Sequence, residues 1–399
     1  MRDLLPEEAA SRRVLSRRVL ERFGLYGYRV VTPPAFEFAD VVERGLGTLA
    51  AADVLRFIEP ESGEVAVLRP DMTPQIARII ATRMRDRETP FRIAYEGTVV
   101  RRRIGRAKKH RQIPQVGVEL CGLAGVEGDL ELLELAADAA RAAGLERFTI
   151  DLADAEVARA LLADVPPPIA DEVTRALGRK DEAMLKELAP RYAAGDRLYA
   201  LARLHGGRDA LEEATKILAG TCAEPPAQRL LALFDAAIAR GLGPVLHADP
   251  GEVRGFAYYT GTIFALYAEG PGEAIAAGGR YDELLARFGV PMPAVGLGVD
   301  LDALAWAIRT AGRAPPLREG VVVEGAASDP RLAALRKRGI ATVTVEGVER
   351  ARAYAASWGF AYVWIGASFS TLDGGTVTST TGTVDQAADA VASVLKKPT

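Results

Sequence analysis

A strongly basic segment lies between two strand-like stretches in residues 95–122, YEGTVVRRRIGRAKKHRQIPQVGVELCG. Between Arg101 and Arg111 it carries seven Lys or Arg side chains and no acid. Because β-branched and aromatic residues flank a polar middle, the segment predicts two antiparallel strands joined by a charged loop. Guanidinium groups in such a loop could pair with anionic oxygens, or the loop could simply be solvated.

The second strand of this segment carries two polar residues, which are unusual in a buried strand. Gln115 and Glu119 are four residues apart, so their side chains face the same side of the sheet. Polar groups on an inner face must be paired within the protein or serve a ligand. These two residues are therefore candidates for a binding site.

Patterns on either side of the basic segment predict an α+β fold. Apolar residues at helical spacing run from residue 7 to a glycine stop at Gly24. Between about residues 164 and 242 the chain is rich in Ala, Leu, Glu and Lys at helical spacing, which predicts a helical insertion that splits the sheet. Further strands are predicted over Tyr28–Thr32, Val54–Glu59, Val65–Arg69, Gly255–Tyr267 and Ala294–Val299, and helices over Tyr281–Phe288 and Leu301–Thr310.

A linker signal at Arg313, Pro315 and Pro316 separates two domains. Strand and helix patterns alternate beyond it, which predicts a small α/β domain over residues 318–399 and leaves residues 1–317 as the first domain. The second domain has nine Lys or Arg against eight Asp or Glu. Because phosphate contacts supply much of an RNA affinity, this near-neutral balance argues against an RNA-gripping surface.

Charge and cysteine content narrow the functional classes. The 399 residues carry a formal net charge of −3, so nucleic acid and anionic membranes exert no overall attraction. The chain shows neither a run of 18 apolar residues nor a secretory leader pattern, and a cytoplasmic location is expected. Cys121 and Cys222 stand alone and the three histidines are far apart, so we predict neither a disulfide framework nor a metal site.

Residues 68–78, LRPDMTPQIAR, predict the start of a helix. Thr73 is placed to cap the helix, and Pro74 suits its first position. Asp71 would then lie just outside the helix N-terminus, where its carboxylate could take a substrate ammonium. A capped helix without a ligand is the alternative interpretation.

Two later segments combine aromatic, basic and small residues. Residues 253–264, VRGFAYYTGTIF, contain Arg254, Tyr258 and Tyr259, and residues 276–285, AAGGRYDELL, contain a Gly–Gly pair. Paired glycines let a ligand or another backbone approach closely. Each segment alone also fits an ordinary strand and turn.

In this order the segments resemble the motifs of class II histidyl-tRNA synthetases and their relatives, across nearly the whole chain. Residues 95–122 are similar to motif 2, RGFAYYTG and GGRYDEL to two histidine-specific motifs, and PAVGLGVDLDAL at residues 293–304 to motif 3. The resemblance implies a class II synthetase-like antiparallel sheet flanked by helices, with a helical insertion and a C-terminal domain like an anticodon-binding domain. It also implies a histidine pocket formed by Asp71, Thr73, Arg101, Gln115, Glu119, Arg254, Tyr258 and Tyr259.

The chain departs from the synthetase pattern where ATP would bind. The synthetases carry Gly-Leu-Glu-Arg in motif 3, but residues 300–303 are Asp-Leu-Asp-Ala here, so the phosphate-binding arginine is missing. Arg103 replaces an acid of motif 2, and Ala257 replaces the aspartate of the first histidine motif. Loss of one preorganised charge contact typically costs about 10²–10³ in rate, so adenylate formation would become negligible.

A retained histidine pocket beside a lost ATP site is similar to the regulatory subunits of short-form ATP phosphoribosyltransferase. Asp71, in place of the synthetase glutamate, also resembles that group. The resemblance implies a chain without catalytic activity or cofactor that activates a short-form catalytic subunit and binds L-histidine for feedback inhibition. A homodimer through the N-terminal segment up to Thr32, within a hetero-oligomer, is also expected. Neither a membrane nor nucleic acid is an expected partner.

Two alternatives remain open. The first is an active histidine–tRNA ligase, which Arg254 favours because a working synthetase would keep it. The second is an RNA-binding paralogue that uses the basic loop between Arg101 and Arg111.

The missing ATP contacts predict that the purified chain does not catalyse histidine-dependent exchange between ATP and pyrophosphate, because the transition state lacks the arginine at residue 303. Isotope exchange measures this directly, with an active histidyl-tRNA synthetase as the positive control. Exchange at a synthetase-like rate would support the ligase alternative.

Overall fold

The computed structural model describes residues 3–46, 54–101, 111–253, 259–313, 318–372, 374–379 and 382–395. The chain forms two compact units, Met1–Arg313 and Ala314–Thr399. Among the residues that the structure describes, no helix is both long and apolar enough to cross a membrane.

An eight-stranded sheet forms the centre of the first unit. Its strands lie in the order β1-β5-β6-β11-β10-β9-β7-β8, and the five inner pairs are antiparallel. The predicted class II synthetase-like sheet is confirmed, although the edge pairs β1–β5 and β7–β8 are parallel and make the sheet mixed. The strands are β1 (Arg29–Val31), β5 (Phe91–Val100), β6 (Gln112–Cys121), β7 (Thr149–Asp154), β8 (Leu246–Ala248), β9 (Thr262–Tyr267), β10 (Ala276–Arg280) and β11 (Ala294–Asp300).

Helices cover one face of this sheet. Alternate residues of the central strands point to that face, among them Val116, Val118 and Leu120 of β6. They pack with apolar residues of the helices into the largest core cluster of the described chain. The helices are α1 (Pro6–Leu25), α4 (Val126–Ala143), α10 (Glu224–Ala239) and α11 (Leu301–Thr310).

The opposite face is covered only in part. Helix α3 (Thr73–Arg83) packs there against Ile93 and Tyr95 of β5. A separate three-stranded sheet, in the order β2-β4-β3, and helix α2 (Ala39–Leu46) precede α3 in the chain. Helix α2 also contacts α3. Its strands are β2 (Phe36–Phe38), β3 (Leu55–Ile58) and β4 (Val65–Leu68), and the sequence pattern did not separate them from the main sheet.

The helical insertion has its own apolar core. Leu177, Leu185, Leu201 and Leu218 are buried within it, together with Val253 from the segment that returns to the main sheet. Helix α10 contributes to both cores, because Ala227 packs in the core of the insertion and Phe234 packs in the core of the main sheet. The insertion helices are α5 (Ala155–Leu162), α6 (Pro167–Leu177), α7 (Glu182–Leu188), α8 (Gly195–Leu201) and α9 (Arg208–Leu218).

The helix predicted over Tyr281–Phe288 is wrong for its first half. The backbone N–H of Tyr281 donates to Ala294 O at 2.8 Å, and that of Asp282 donates to the Thr260 hydroxyl at 2.9 Å. These bonds hold the segment against the sheet, so only a short 3₁₀ helix forms at Leu285–Phe288.

The second unit is an α/β domain around a five-stranded sheet in the order β13-β12-β14-β15-β16. Its first three strands are parallel and its last two pairs antiparallel. Helices α12 and α14 pack on one face and α13 on the other. The elements are β12 (Arg318–Glu324), α12 (Pro330–Lys337), β13 (Ala341–Val345), α13 (Val348–Ser357), β14 (Phe360–Ile365), β15 (Ser368–Thr371), β16 (Thr376–Ser379) and α14 (Val384–Leu395).

Candidate functional site

A cavity of about 700 Å³ lies on the face of the main sheet opposite α4. Direct cross-strand neighbours point to the same side of a sheet, so its floor follows from the strand register. One row runs Tyr95, Gly117, Gly298, Ala277 and Ala265 across β5, β6, β11, β10 and β9. Because four of these five side chains are absent or a single methyl group, the sheet leaves a trench above its backbone.

Gly296 makes the closest approach in this floor. A Cβ atom at Gly296 would overlap the Glu119 carboxylate and the Tyr281 hydroxyl. On the same strand and face, a Cβ at Gly298 would have the Tyr95 hydroxyl as its nearest neighbour, at 3.7 Å. Glycine is therefore a steric requirement at residue 296, whereas residue 298 has room.

Thr73 and Asp71 form one wall of the cavity at the start of α3. The Thr73 hydroxyl donates to Glu119 Oε1 at 2.6 Å, and the Thr73 backbone N–H donates to Asp71 Oδ1 at 3.0 Å. The prediction that the Thr73 side chain caps the helix is therefore wrong. Thr73 is the first helical residue, its hydroxyl is committed to Glu119, and Asp71 satisfies its N–H instead.

Glu119 is the most deeply buried acid of the cavity, with 1 % of its surface exposed. Burial raises the pKa of its carboxyl well above the ordinary value, and the nearby charge of Asp71 acts in the same direction. The hydroxyls of Thr73 and Tyr95 lower this pKa but do not cancel the effect of burial. Glu119 Oε2 has no hydrogen-bond partner among the described residues. An oxygen in this position is suited to form a hydrogen bond with a ligand.

Six of the eight predicted site residues line this one cavity, namely Asp71, Thr73, Arg101, Gln115, Glu119 and Tyr259. Arg101 donates to Pro70 O at 3.2 Å and lies 3.7 Å from the Asp71 carboxylate, so it faces the cavity from the end of β5. Arg254 and Tyr258 lie outside the described residues, as do Arg103 and Ala257.

Several lining residues were missed by the sequence interpretation. Tyr95 and Tyr281 border Glu119, and the Tyr281 ring lies 6.4 Å from that of Tyr259. Tyr281 lies inside the GGRYDEL segment, so that motif could have pointed to it. The acids Asp151, Asp249, Glu252 and Glu273 also line the cavity, and no local pattern in the sequence distinguishes them.

Arg280, the most polar residue of the GGRYDEL segment, belongs to the core and not to the cavity. Its guanidinium pairs with Asp129 of α4 at 3.0 Å and donates to Gly125 O at 2.8 Å. Burial raises the pKa of Asp129, whereas the charge of Arg280 and hydrogen bonds from Arg280 and Thr262 lower it. This buried pair ties α4 to β10.

The start of α11 carries acids where a nucleotide site needs cations. Asp300 lines the cavity and caps α11, since its Oδ1 accepts the N–H groups of Asp302 and Ala303 at 3.0 and 3.1 Å. Asp302 pairs with Arg12 of α1 at 2.6 Å, and Ala303 packs against the main core. In the described chain α11 therefore presents no positive side chain to the cavity from these positions.

The charges on the described lining residues favour a cationic group over a polyanion. Among the described lining residues Arg101 is the single cation. A triphosphate would meet repulsion from such a surface, whereas an ammonium would be attracted. Across the described ranges, no three His, Cys, Asp or Glu side chains are grouped so that they could hold a metal ion. The lining acids are Asp71, Glu119, Asp151, Asp249, Glu252, Glu273 and Asp300, of which Glu119 keeps its proton to higher pH because burial raises its pKa.

Comparison with known proteins places this geometry in context. The family model described as histidyl-tRNA synthetase matches residues 1–304. The ATP phosphoribosyltransferase regulatory subunit of Moorella thermoacetica is 40% identical over 379 residues, which cover 91% of this chain and 96% of that protein. The protein of the same name from Anaeromyxobacter sp. (strain Fw109-5) is 44% identical, covering 79% and 93%.

Solved structures give the same picture of the fold. The ATP phosphoribosyltransferase regulatory subunit/histidyl-tRNA synthetase of Bacillus halodurans superposes with a TM-score of 0.77 at 29% identity, covering 92% of this chain and 97% of that one. A histidyl-tRNA synthetase from Nostoc sp. PCC 7120 superposes with a TM-score of 0.79 at 19% identity, covering 99% and 97%. The second likeness concerns the fold alone.

The floor geometry predicts unequal effects of two neighbouring substitutions. Gly296→Ala would force its methyl group into the buried Glu119 carboxylate, and we expect a loss of about 1–3 kcal/mol in stability, as for other overpacked sites. Gly298→Ala is the matched control, because its methyl group meets only ordinary contacts. Thermal unfolding of the two variants measures the difference. Equal melting temperatures would contradict the close approach at residue 296.

The raised pKa of Glu119 predicts a pH-dependent stability. The unfolded side chain loses its proton near the ordinary pKa of 4.5, while the folded side chain keeps it to higher pH, so ionisation costs stability as pH rises through that interval. Glu119→Gln removes this cost and keeps an oxygen that can accept the Thr73 hydroxyl. Its melting temperature relative to the wild type should rise between pH 5 and pH 8. A difference that stays constant over this range would show that Glu119 ionises normally.

Proposed function

Since the chain belongs to the ATP phosphoribosyltransferase regulatory subunits, a group with the histidyl-tRNA synthetase fold, we propose that it binds L-histidine. In this proposal, histidine binding changes the activity of a separate catalytic transferase chain. Its role is regulatory and concerns histidine biosynthesis. The catalytic partner proposed is a short-form ATP phosphoribosyltransferase, active with this subunit and inhibited when histidine fills the cavity. Neither a cofactor nor catalytic activity of the chain itself is part of the proposal.

The cavity chemistry supports histidine as the ligand. Asp71 and Gln115 can accept hydrogen bonds from the α-ammonium group, and the positive charge of Arg101 can pair with the α-carboxylate. Glu119 offers its open oxygen to a ring nitrogen, and the tyrosines Tyr259 and Tyr281 supply aromatic walls beside it. The single observation that carries the proposal is this buried carboxylate, oriented by Thr73 and unmatched at Oε2. We propose that Arg254 and Tyr258 also bind histidine.

The proposed loss of catalysis is supported by the start of α11. Asp300 occupies the motif 3 glycine position and lines the cavity, so it adds a carboxylate that would repel phosphates there. No arginine is available at residue 303 to offset it. Histidine recognition does not need that arginine, so binding can outlast catalysis.

We assign histidine binding to residues 1–317 and propose that residues 318–399 are a structural remnant or an interaction surface. A homodimer through the N-terminal segment is supported by the exposed apolar residues Leu25 and Val30, whose exposed fractions are 74 % and 56 %. Transmission to the catalytic chain requires only that histidine favour one state of the assembly by about 1–3 kcal/mol.

Calorimetric titration tests the ligand. L-histidine should bind the wild-type chain, and Asp71→Asn should weaken binding about 10- to 100-fold, because it removes a charged hydrogen-bond partner. Asp302→Asn is the matched control, since this acid pairs with Arg12 and does not line the cavity. ATP titrated into the wild type should give no comparable heat. Absence of histidine binding, or equal losses in both variants, would overturn the proposal.

A further inference from the structure

We propose that Lys180 is a positioning residue for the cavity and that the helical insertion sets ligand affinity through it, an inference that rests on the proposed function. Lys180 lies in the turn between α6 and α7 and is not a lining residue. Its partner Asp249 does line the cavity. An effect of Lys180 on the ligand would therefore pass through that carboxylate.

The contact between the two side chains is short and fixes the Asp249 carboxylate. Lys180 Nζ lies 2.7 Å from Asp249 Oδ1 and 2.7 Å from Oδ2. The Asp249 backbone N–H donates to Leu152 O of β7 at 2.9 Å, and Gly251 N–H donates to Asp249 Oδ1 at 3.2 Å. Burial raises the pKa of Asp249 and the charge of Lys180 lowers it. Without Lys180, a largely buried carboxylate would lose its counter-charge and reorient or take up a proton.

The backbone of Lys180 holds an unusual conformation. Its φ is +52°, the one positive value of a non-glycine residue among the described residues. Its N–H donates to Leu177 O at 3.0 Å, and the Asp181 N–H donates to Ala176 O at 2.9 Å, which closes the C-terminus of α6. A lysine in this region is uncommon and costs energy, so the surrounding structure must hold it there.

The segment that carries Asp249 is packed into the insertion. A Cβ atom at Gly251 would lie 2.9 Å from Leu201 O and 3.0 Å from Ala202 Cα, so the backbone of the segment lies directly on the end of α8. Val253 is buried in the insertion core. Residues 249–253 thus belong to the insertion by packing, while Asp249 and Glu252 belong to the cavity wall. A displacement of the insertion must move that wall.

The experiment compares histidine affinity and amide hydrogen exchange in full-length variants. Lys180→Met should weaken histidine binding about 3- to 30-fold, the range typical of residues that act on a site indirectly. It should also speed exchange over residues 249–253 in the ligand-free chain. Lys180→Gly should do the same, because glycine accepts the positive φ and the variant lacks the charged side chain. Lys180→Arg should restore both within about threefold, since it keeps a charged donor.

Arg191→Met is the matched control. Arg191 forms an exposed ion pair with Glu172 in the same insertion, at 3.3 Å, and neither residue lines the cavity. It should leave affinity and exchange unchanged. If the wild type binds histidine and both Lys180 variants bind it equally well with unchanged exchange, the positioning role is overturned and the proposed function stands. If the wild type binds no histidine yet the Lys180 variants alone speed exchange over residues 249–253, the proposed function fails and the positioning of the wall is upheld.

Discussion

The burial of the Glu119 carboxylate above a floor of backbone is the constraint on which the rest of the site depends. A carboxylate with 1 % exposure has lost its water, and Thr73 returns only one hydrogen bond, to Oε1. Such a group lowers the stability of the folded chain unless other interactions replace its lost hydration. The buried carboxylate is tolerated because Gly296 leaves space for it and because Thr73, at the start of α3, lies within hydrogen-bond distance of it. A ligand group hydrogen-bonded to Oε2 would supply the partner that the protein does not.

The charges of the described lining residues favour a cationic ligand over a polyanion. At the start of α11 the chain presents Asp300 to the cavity, whereas Asp302 pairs with Arg12 and does not line the cavity. Asp300 also caps α11, and an aspartate is a better helix cap than a glycine, so this residue favours the fold. In our proposal catalytic capacity is lost without loss of the fold, and the amino-acid pocket remains.

Local patterns predicted the parts of the site that are close in sequence. Gln115 and Glu119 share a strand face because strands alternate, and Asp71 precedes α3 because Pro74 favours a helix start. The role of the Thr73 hydroxyl could not be predicted, since its partner lies 46 residues away. The same holds for Arg280 with Asp129 and for Lys180 with Asp249, whose partners are set by the fold and not by any motif. Asp151 enters the wall only because β7 pairs with β9.

We propose that an empty cavity and a histidine-filled one have different effects on a separate catalytic chain. The most direct test mixes the full-length protein with a short-form ATP phosphoribosyltransferase catalytic subunit from the same cell and measures phosphoribosyl transfer with and without L-histidine. We expect the protein to raise the transfer rate and L-histidine to remove this increase. A rate that depends on neither the protein nor histidine would contradict the proposal.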